Sequence, residues 1–216
     1  MEKTVLQIKT YGDPGLRKKS LLVKEVMPRH RNILSQMAQL MYEGNGVGLA
    51  APQAGVNEML IVVDIGSGLY KLINPRITET SGSQVNQEGC LSVPGICIKV
   101  KRAEKVKVKA QDEYGKPLNI EAQGLLACVF QHEIDHLKGK LIVDYASIVE
   151  KIKIKNAEVV RHLVNLTELK NEWSDDKKIK VIEMTYKELS DPMHPVSIAM
   201  QKQKTVEEVR IIEGLE

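Results

Sequence analysis

Two histidines one helical turn apart carry the most specific chemical signal in this sequence. His132 and His136 flank Glu133 in the pattern H-E-x-x-H. On an α-helix, residues i and i+4 lie on one face, so both imidazole rings can reach one metal ion. Glu133 would then lie beside the ion, where a carboxylate can take a proton from water and pass it on. This spacing is typical of metallohydrolases, whose catalytic site needs a third protein ligand.

The helix that carries this motif is predicted over Gly124–Leu137. Its residues before the motif are apolar on nearly every side, which is typical of a helix buried at the centre of a domain. Two histidines and two carboxylates in the last turn of such a helix would be costly to bury without partners. A metal ion removes that cost, whereas ordinary core histidines with hydrogen-bond partners are the alternative interpretation.

The chain before this helix predicts one amphipathic helix and several short strands. Apolar residues recur at helical spacing over residues 27–43, and residues 101–113 alternate as in a half-buried strand. Further strands are expected at residues 59–65, at 70–74, between Asn74-Pro75 and Ser81-Gly82, at 118–122 and at 141–143. The connections are too short for parallel crossovers. We therefore predict an α+β fold, with short antiparallel β-sheets around a central metal-binding helix and the N-terminal helix outside.

Composition narrows the class of protein. The chain has 216 residues, of which 43% are hydrophobic and 27% charged, and a net charge of +3, as in ordinary globular proteins. One Phe, one Trp and six Tyr offer little for nucleic-acid stacking, so no specific nucleic-acid sequence is expected as a partner. Three cysteines and no N-terminal apolar segment predict a cytoplasmic protein. No apolar run approaches the ~20 residues of a membrane span, so no membrane partner is expected.

The length suggests one domain with an appendage. Composition shifts after Trp173, so we expect a catalytic domain over residues 1–172 and a C-terminal extension of unknown role over residues 173–216. A helix is also predicted at residues 157–169.

Two other stretches are ambiguous by themselves. Cys90 lies between a glycine and a turn, where a small buried residue is a more ordinary interpretation than a metal ligand. Residues 46–55 are rich in glycine and alanine around Gln53. Such a stretch is either a flexible loop or a place where another backbone approaches closely.

Taken together, the three stretches resemble the three signature motifs of the peptide deformylase family. The first, G-x-G-x-A-A-x-Q, matches residues 46–53; the second, E-G-C-L-S, matches residues 88–92; and the third, Q-H-E-x-D-H, matches residues 131–136. Three motifs in the right order are far more specific than H-E-x-x-H alone. The resemblance covers roughly residues 5–145 and does not include the tail.

This resemblance implies an activity and a role for each matching residue. The implied reaction is metal-dependent hydrolysis of the N-formyl group from the starting methionine of nascent polypeptides, which releases formate. The implied metal ligands are Cys90, His132 and His136, with water as the fourth. Glu133 would be the base and then the acid. The side-chain amide of Gln53 and the backbone N–H of Leu91 would hold the oxyanion.

The resemblance also implies how substrate and metal are chosen. The formylmethionyl peptide would pair as an added strand with Gly46, Val47 and Gly48 and with Gly89. Its methionine pocket would be lined by Val47, Leu125, Cys128, Val129 and His132. The resemblance implies Fe²⁺, whereas the ligand set alone favours Zn²⁺ and allows Ni²⁺ or Co²⁺. In some members of the family a terminal helix contacts the ribosome, which makes the ribosome a candidate partner.

Two departures and two alternatives accompany this interpretation. Cys97 replaces a basic residue of some bacterial members, and the tail is longer than their single terminal helix. An H-E-x-x-H endopeptidase would instead take its third ligand from downstream, where the candidates are Glu150, Glu158 and His162. A non-enzymatic ribosome-associated or RNA-associated factor would have a closed site with four protein ligands.

Overall fold

The computed structural model describes residues 6–147 together with Lys151 and Ile154. Two α-helices are assigned in this part, α1 (Pro28–Glu43) and α2 (Gly124–Leu137). The strands are β1 (Gly48–Ala50), β2 (Leu60–Val63), β3 (Tyr70–Ser81), β4 (Gln84–Cys90), β5 (Val93–Arg102), β6 (Lys105–Gln111) and β7 (Pro117–Gln123). Short 3₁₀ helices occur at Pro14–Arg17, Ala51–Ala54 and Ile142–Tyr145. No helix in this part is long and apolar enough to cross a membrane.

The strands form two antiparallel sheets. Five strands pair in the order β1-β2-β3-β6-β7, and β4 and β5 form a separate hairpin. All four residues of β2 are buried, because the five-stranded sheet is covered on both faces. Successive side chains of a strand point to opposite faces, so Ile61 and Val63 pack with α2, whereas Leu60 and Val62 pack with α1. The predicted α+β fold with antiparallel sheets, a central helix and an outer N-terminal helix is confirmed.

Local chemistry explains the bounds of the helices. Pro28 occupies the first turn of α1, where its missing N–H costs nothing. The N–H of Met27, which precedes the helix, donates to Nδ1 of His30 at 2.8 Å, and Gly44 follows the last residue. The buried side of α1 consists of His30, Leu34, Met37, Ala38 and Met41. Helix α2 has the predicted bounds.

Two local predictions differ from the structure, and one observed element has no counterpart among the predictions. Asn74-Pro75 does not end a strand, because β3 continues through an irregularity in its pairing with β6. Asn74 adopts a positive φ of 53° and its side chain bonds both the N–H and the C=O of Val23, at 2.9 and 2.8 Å. Residues 141–143 begin a 3₁₀ helix instead of a strand, since the Asp144 carboxylate accepts the N–H of Leu141. The hairpin of β4 and β5 was not predicted.

The predicted helix at residues 157–169 and the predicted boundary between residues 172 and 173 lie outside the described residues. The separate role assigned to residues 173–216 therefore stays a prediction.

Candidate active site and metal centre

Three side chains that could bind a metal ion, from two distant parts of the chain, meet in one place. Cys90 is the last residue of β4, and His132 and His136 lie on one face of α2, as the i, i+4 spacing predicts. Cys90 Sγ is 3.2 Å from His136 Nε2, which is 3.1 Å from His132 Nε2. All three ligand atoms lie within 4.8 Å of one another. Folding therefore brings together the three residues that the motifs single out.

The spacing of these atoms fits one tetrahedral ion. With metal–nitrogen and metal–sulfur bonds of ordinary length, two nitrogens are about 3.3 Å apart and sulfur and nitrogen about 3.6 Å. The distances of 3.1 and 3.2 Å are close to both values. One soft thiolate and two imidazoles form a donor set suited to Zn²⁺, Fe²⁺, Co²⁺ or Ni²⁺.

A carboxylate behind the site fixes the orientation of His132. Glu88 accepts from four donors, two on each oxygen: Arg102 Nε at 2.8 Å and Cys128 Sγ at 3.2 Å on Oε1, and Arg102 Nη2 and His132 Nδ1, both at 2.9 Å, on Oε2. Burial raises its pKa, but these bonds to Arg102 and His132 outweigh burial and lower it to about 2. An ionised Glu88 can only accept. His132 must therefore carry its hydrogen on Nδ1, which leaves the lone pair of Nε2 for an ion.

The two histidine rings differ in their affinity for protons. Burial lowers the pKa of His132, but hydrogen bonds with Cys90 and Glu88 raise it to about 10. Burial and the neighbouring His132 hold the pKa of His136 well below its usual value. Metal ions and protons compete for the same nitrogen lone pairs. A metal ion bound at this site would therefore take the place of a proton on His132.

A second set of buried charges holds Glu88 itself. Arg102 is 6% exposed, and its Nη1 donates to Asp135 Oδ2 and, at 3.2 Å, to the hydroxyl of Tyr145. The Tyr145 hydroxyl also donates to Asp135 Oδ2 at 2.6 Å. No role for Glu88 or Arg102 is predicted from the sequence. The signal was available, because Arg102 occupies an inward position of an alternating strand, after Ile98 and Val100, and a buried arginine requires an acidic partner.

Gln53 reaches the site from the 3₁₀ helix Ala51–Ala54. Its side chain is 1% exposed, with Oε1 accepting the N–H of Ala50 at 2.8 Å. Its Nε2 donates to Cys90 Sγ at 3.3 Å and to Ser92 Oγ at 3.2 Å. The glycine-rich stretch is thus a short strand and a 3₁₀ helix that bring the Gln53 amide to Cys90 Sγ, and not a flexible loop.

Glu133 points toward β1. It is 3% exposed, and burial raises its pKa to about 7. A side chain added at Gly48 would place its Cβ 2.3 Å from Glu133 Oε1. The other oxygen, Oε2, is buried and has no hydrogen-bond partner among the described residues. On the residue that follows His132, a buried acceptor with no partner among the described residues is suited to bind a water molecule or a substrate N–H.

The remaining predicted residues surround this centre. Val47 and Leu125 are 45% and 55% exposed, and Val129 is buried. Gly48 begins the edge strand of the five-stranded sheet, Gly46 lies two residues before it, and Gly89 pairs with Cys97 in the hairpin. Leu91 follows Cys90 and packs against Gly44 and Gly46. Cys128 is 3% exposed and bonds Glu88, so its contribution to a substrate pocket stays a prediction.

Comparisons with known proteins agree with this geometry. A family model described as polypeptide deformylase matches residues 5–152. Peptide deformylases from Carboxydothermus hydrogenoformans and Halothermothrix orenii are each 52% identical, over 68% and 65% of this chain and 97% and 92% of those proteins.

Solved structures agree as well. A peptide deformylase from Legionella pneumophila matches with a TM-score of 0.69 and 39% identity, over 79% of this chain and 99% of that one. One from Synechococcus elongatus, in complex with actinonin, matches with a TM-score of 0.68 and 40% identity, over 73% and 90%.

Proposed function

Because this chain belongs to the peptide deformylase family, we propose that Cys90, His132 and His136 hold the metal ion with which it removes the formyl group from nascent polypeptides. The observation that carries the proposal is the convergence of these three ligand atoms beside Glu133 and Gln53. Cys90 supplies the third ligand from upstream of α2, which argues against an endopeptidase with a downstream ligand.

The bound ion supplies Lewis acidity, which polarises the formyl carbonyl and makes water a stronger nucleophile. A thiolate and two neutral imidazoles leave a divalent ion with one formal positive charge. We propose Fe²⁺ as the native ion, and the donor set also accepts Zn²⁺, Ni²⁺ and Co²⁺. Metal analysis of protein purified without oxygen distinguishes them.

Glu133 is the proposed acid and base. Its buried, unpartnered Oε2 can accept a hydrogen bond from the attacking water and take its proton as the water adds to the formyl carbon. The same carboxyl group then gives the proton to the amine nitrogen as the carbon–nitrogen bond breaks. Close packing against Gly48 holds the carboxyl group in place for both transfers.

Gln53 and Leu91 are the proposed donors to the formyl oxygen. The Gln53 amide points one hydrogen toward Cys90 Sγ, and the backbone N–H of Leu91 belongs to the residue after Cys90. Donors fixed in this way stabilise the negative charge that develops on the oxygen without having to reorganise. Loss of one such donor typically lowers the rate by ~10² or more.

The substrate is proposed to bind as an extended strand. Gly46 and Val47, Gly48 at the start of the edge strand β1, and the segment at Gly89 would supply backbone hydrogen bonds. The methionine side chain would contact Val47, Leu125, Cys128 and Val129. Backbone pairing is tolerant of sequence, which suits an enzyme that acts on many nascent chains. We also propose that the protein associates with the ribosome, where it would encounter nascent chains. Co-sedimentation with ribosomes tests this association.

Two substitutions with matched controls test the site. Cys90→Ala is expected to lose the bound metal and formate release from a formylmethionyl peptide, whereas the exposed Cys97 can be changed to Ala with neither effect. Glu133→Gln is expected to keep the metal and lose formate release by ~10² or more, in the range of a lost acid–base catalyst. Metal retained in Cys90→Ala, or full activity in Glu133→Gln, would contradict the assignment.

A further inference from the structure

The orientation of the Gln53 amide depends on three contacts. Oε1 accepts from the N–H of Ala50, and the two hydrogens on Nε2 go to Ser92 Oγ and Cys90 Sγ. Rotating the amide by half a turn would set its NH₂ group against the N–H of Ala50, and two donors repel each other. The Ala50 contact therefore decides which end of the amide faces the metal site.

The Ala50 contact alone does not fix the plane of the amide. The terminal torsion of a glutamine side chain has a broad energy profile, so the amide can still swing about Oε1. The bond to Ser92 Oγ at 3.2 Å removes this freedom. One hydrogen of Nε2 is held by Ser92, and planar geometry then aims the other at Cys90.

Ser92 is itself held firmly. It is fully buried and lies two residues after Cys90 in the turn of the β4–β5 hairpin. Its C=O accepts the N–H of Tyr11 at 2.7 Å, and the C=O of Gln53 accepts the N–H of Lys9, also at 2.7 Å. The segment from Lys9 to Tyr11 thus ties the backbones of both residues together.

We infer that Ser92 is a positioning residue for deformylation, whose hydroxyl oxygen anchors one hydrogen of the Gln53 amide so that the other meets the formyl oxygen beside Cys90. The inference rests on the proposed role of Gln53 as a donor to that oxygen. Ser92 is not itself proposed to touch the substrate. Its effect is on the transition state, in which the formyl oxygen gains charge, and only weakly on substrate binding.

Ser92→Ala tests this inference in the metal-loaded enzyme. We expect kcat to fall by about tenfold or more, because a poorly aimed donor loses much of its effect. KM should stay within about twofold, and the metal content of the protein should not change. Ser20→Ala is the matched control. Ser20 is also buried, its hydroxyl has no partner among the described residues, and kcat should be unaffected.

A second pair of variants separates the hydroxyl from packing. Ser92→Thr and Ser92→Val add the same bulk to a fully buried position, but only threonine keeps the oxygen. We expect the threonine variant to have a kcat several-fold above that of the valine variant at equal metal content. This pair also carries the test if Ser92→Ala does not fold. Equal kcat values in the two variants would overturn the inference.

Combination with Gln53→Ala identifies the path of the effect. If Ser92 acts through Gln53, Ser92→Ala lowers kcat in the natural background and has no further effect in Gln53→Ala. An equal loss in both backgrounds overturns the inference, as does an unchanged kcat in Ser92→Ala when Gln53→Ala is impaired. If Gln53→Ala itself keeps its full kcat, the proposed donor role of Gln53 is wrong and the inference is overturned with it.

Discussion

Replacing Gly48 with alanine is expected to disable catalysis without removing the metal. The new Cβ would lie 2.3 Å from Glu133 Oε1 and 2.9 Å from a methyl group of Val129. Gly48, in β1, pairs with Val63 of β2, so the sheet holds the backbone of Gly48. The Glu133 carboxylate must therefore move. Ordinary contact begins at 3.4 Å, so the Glu133 carboxylate must be displaced by about 1 Å. A shift of that size in a reacting group can lower kcat by ~10².

The measurement is formate release from a formylmethionyl peptide at saturating concentration, together with bound metal per chain. Gly15→Ala is the control, since a Cβ at that position meets only the side chain of Asp13, which has no part in the proposed site. We expect Gly15→Ala to keep kcat within about threefold and both variants to keep the metal. A kcat near that of the natural enzyme in Gly48→Ala would refute the argument that packing against Gly48 positions Glu133.

Two further predictions concern stability. Arg102→Met leaves the buried Glu88 without its bidentate partner and should lower the free energy of unfolding by about 3–5 kcal/mol. The control is Arg29→Met, which breaks a more exposed pair with Glu58 and should lower the free energy of unfolding by at most about 1 kcal/mol. Both are measured by urea titration, and a similar loss in the two variants would contradict the special role of Arg102. Burial lowers the pKa of His30 below its unfolded value, so the unfolded chain binds the proton more tightly and stability is lost as pH falls through the unfolded pKa. His30→Gln keeps an acceptor for the Met27 N–H and should show a smaller drop in melting temperature between pH 7 and about pH 5; an equal drop would show that His30 is not responsible.

The sequence predicts elements whose cause is local. The sequence predicts helix α2 with its bounds because the apolar pattern of the helix and the glycines at its two ends are local features of the sequence. The irregularity at Asn74 was not predicted, since it depends on Val23, 51 residues away. The sequence predicts a strand at residues 141–143, where the structure has the 3₁₀ helix Ile142–Tyr145. A short apolar run does not reveal that Asp144 accepts the N–H of Leu141.

The residues of the site also divide into those that local spacing predicts and those that depend on contacts between distant parts of the chain. The convergence of His132 and His136 follows from motif spacing, because residues i and i+4 on a helix meet without help from the rest of the fold. Cys90 as the third candidate ligand follows only from the resemblance to the family. The support for His132 depends on Glu88 and Arg102, whose bonds span 44 and 14 residues. Such contacts cannot be predicted from spacing along the chain. An inward-facing arginine on a strand is nevertheless a usable sign that a buried acid exists.

Gly44, which follows α1, and the first-motif glycines Gly46 and Gly48 illustrate a distinction that composition alone does not make. Glycine is needed either where φ is positive or where another group approaches closely. Gly44, Gly46 and Gly48 are absent from the described glycines with positive φ, so backbone freedom is not the reason for them. An added Cβ would lie 2.9 Å from Leu91 at both Gly44 and Gly46, and 2.3 Å from Glu133 at Gly48. Alternate glycines therefore leave room for the side chain of Leu91 at one end of this row and for the Glu133 carboxylate at the other. The row is required for this packing, whether or not a substrate strand binds to it.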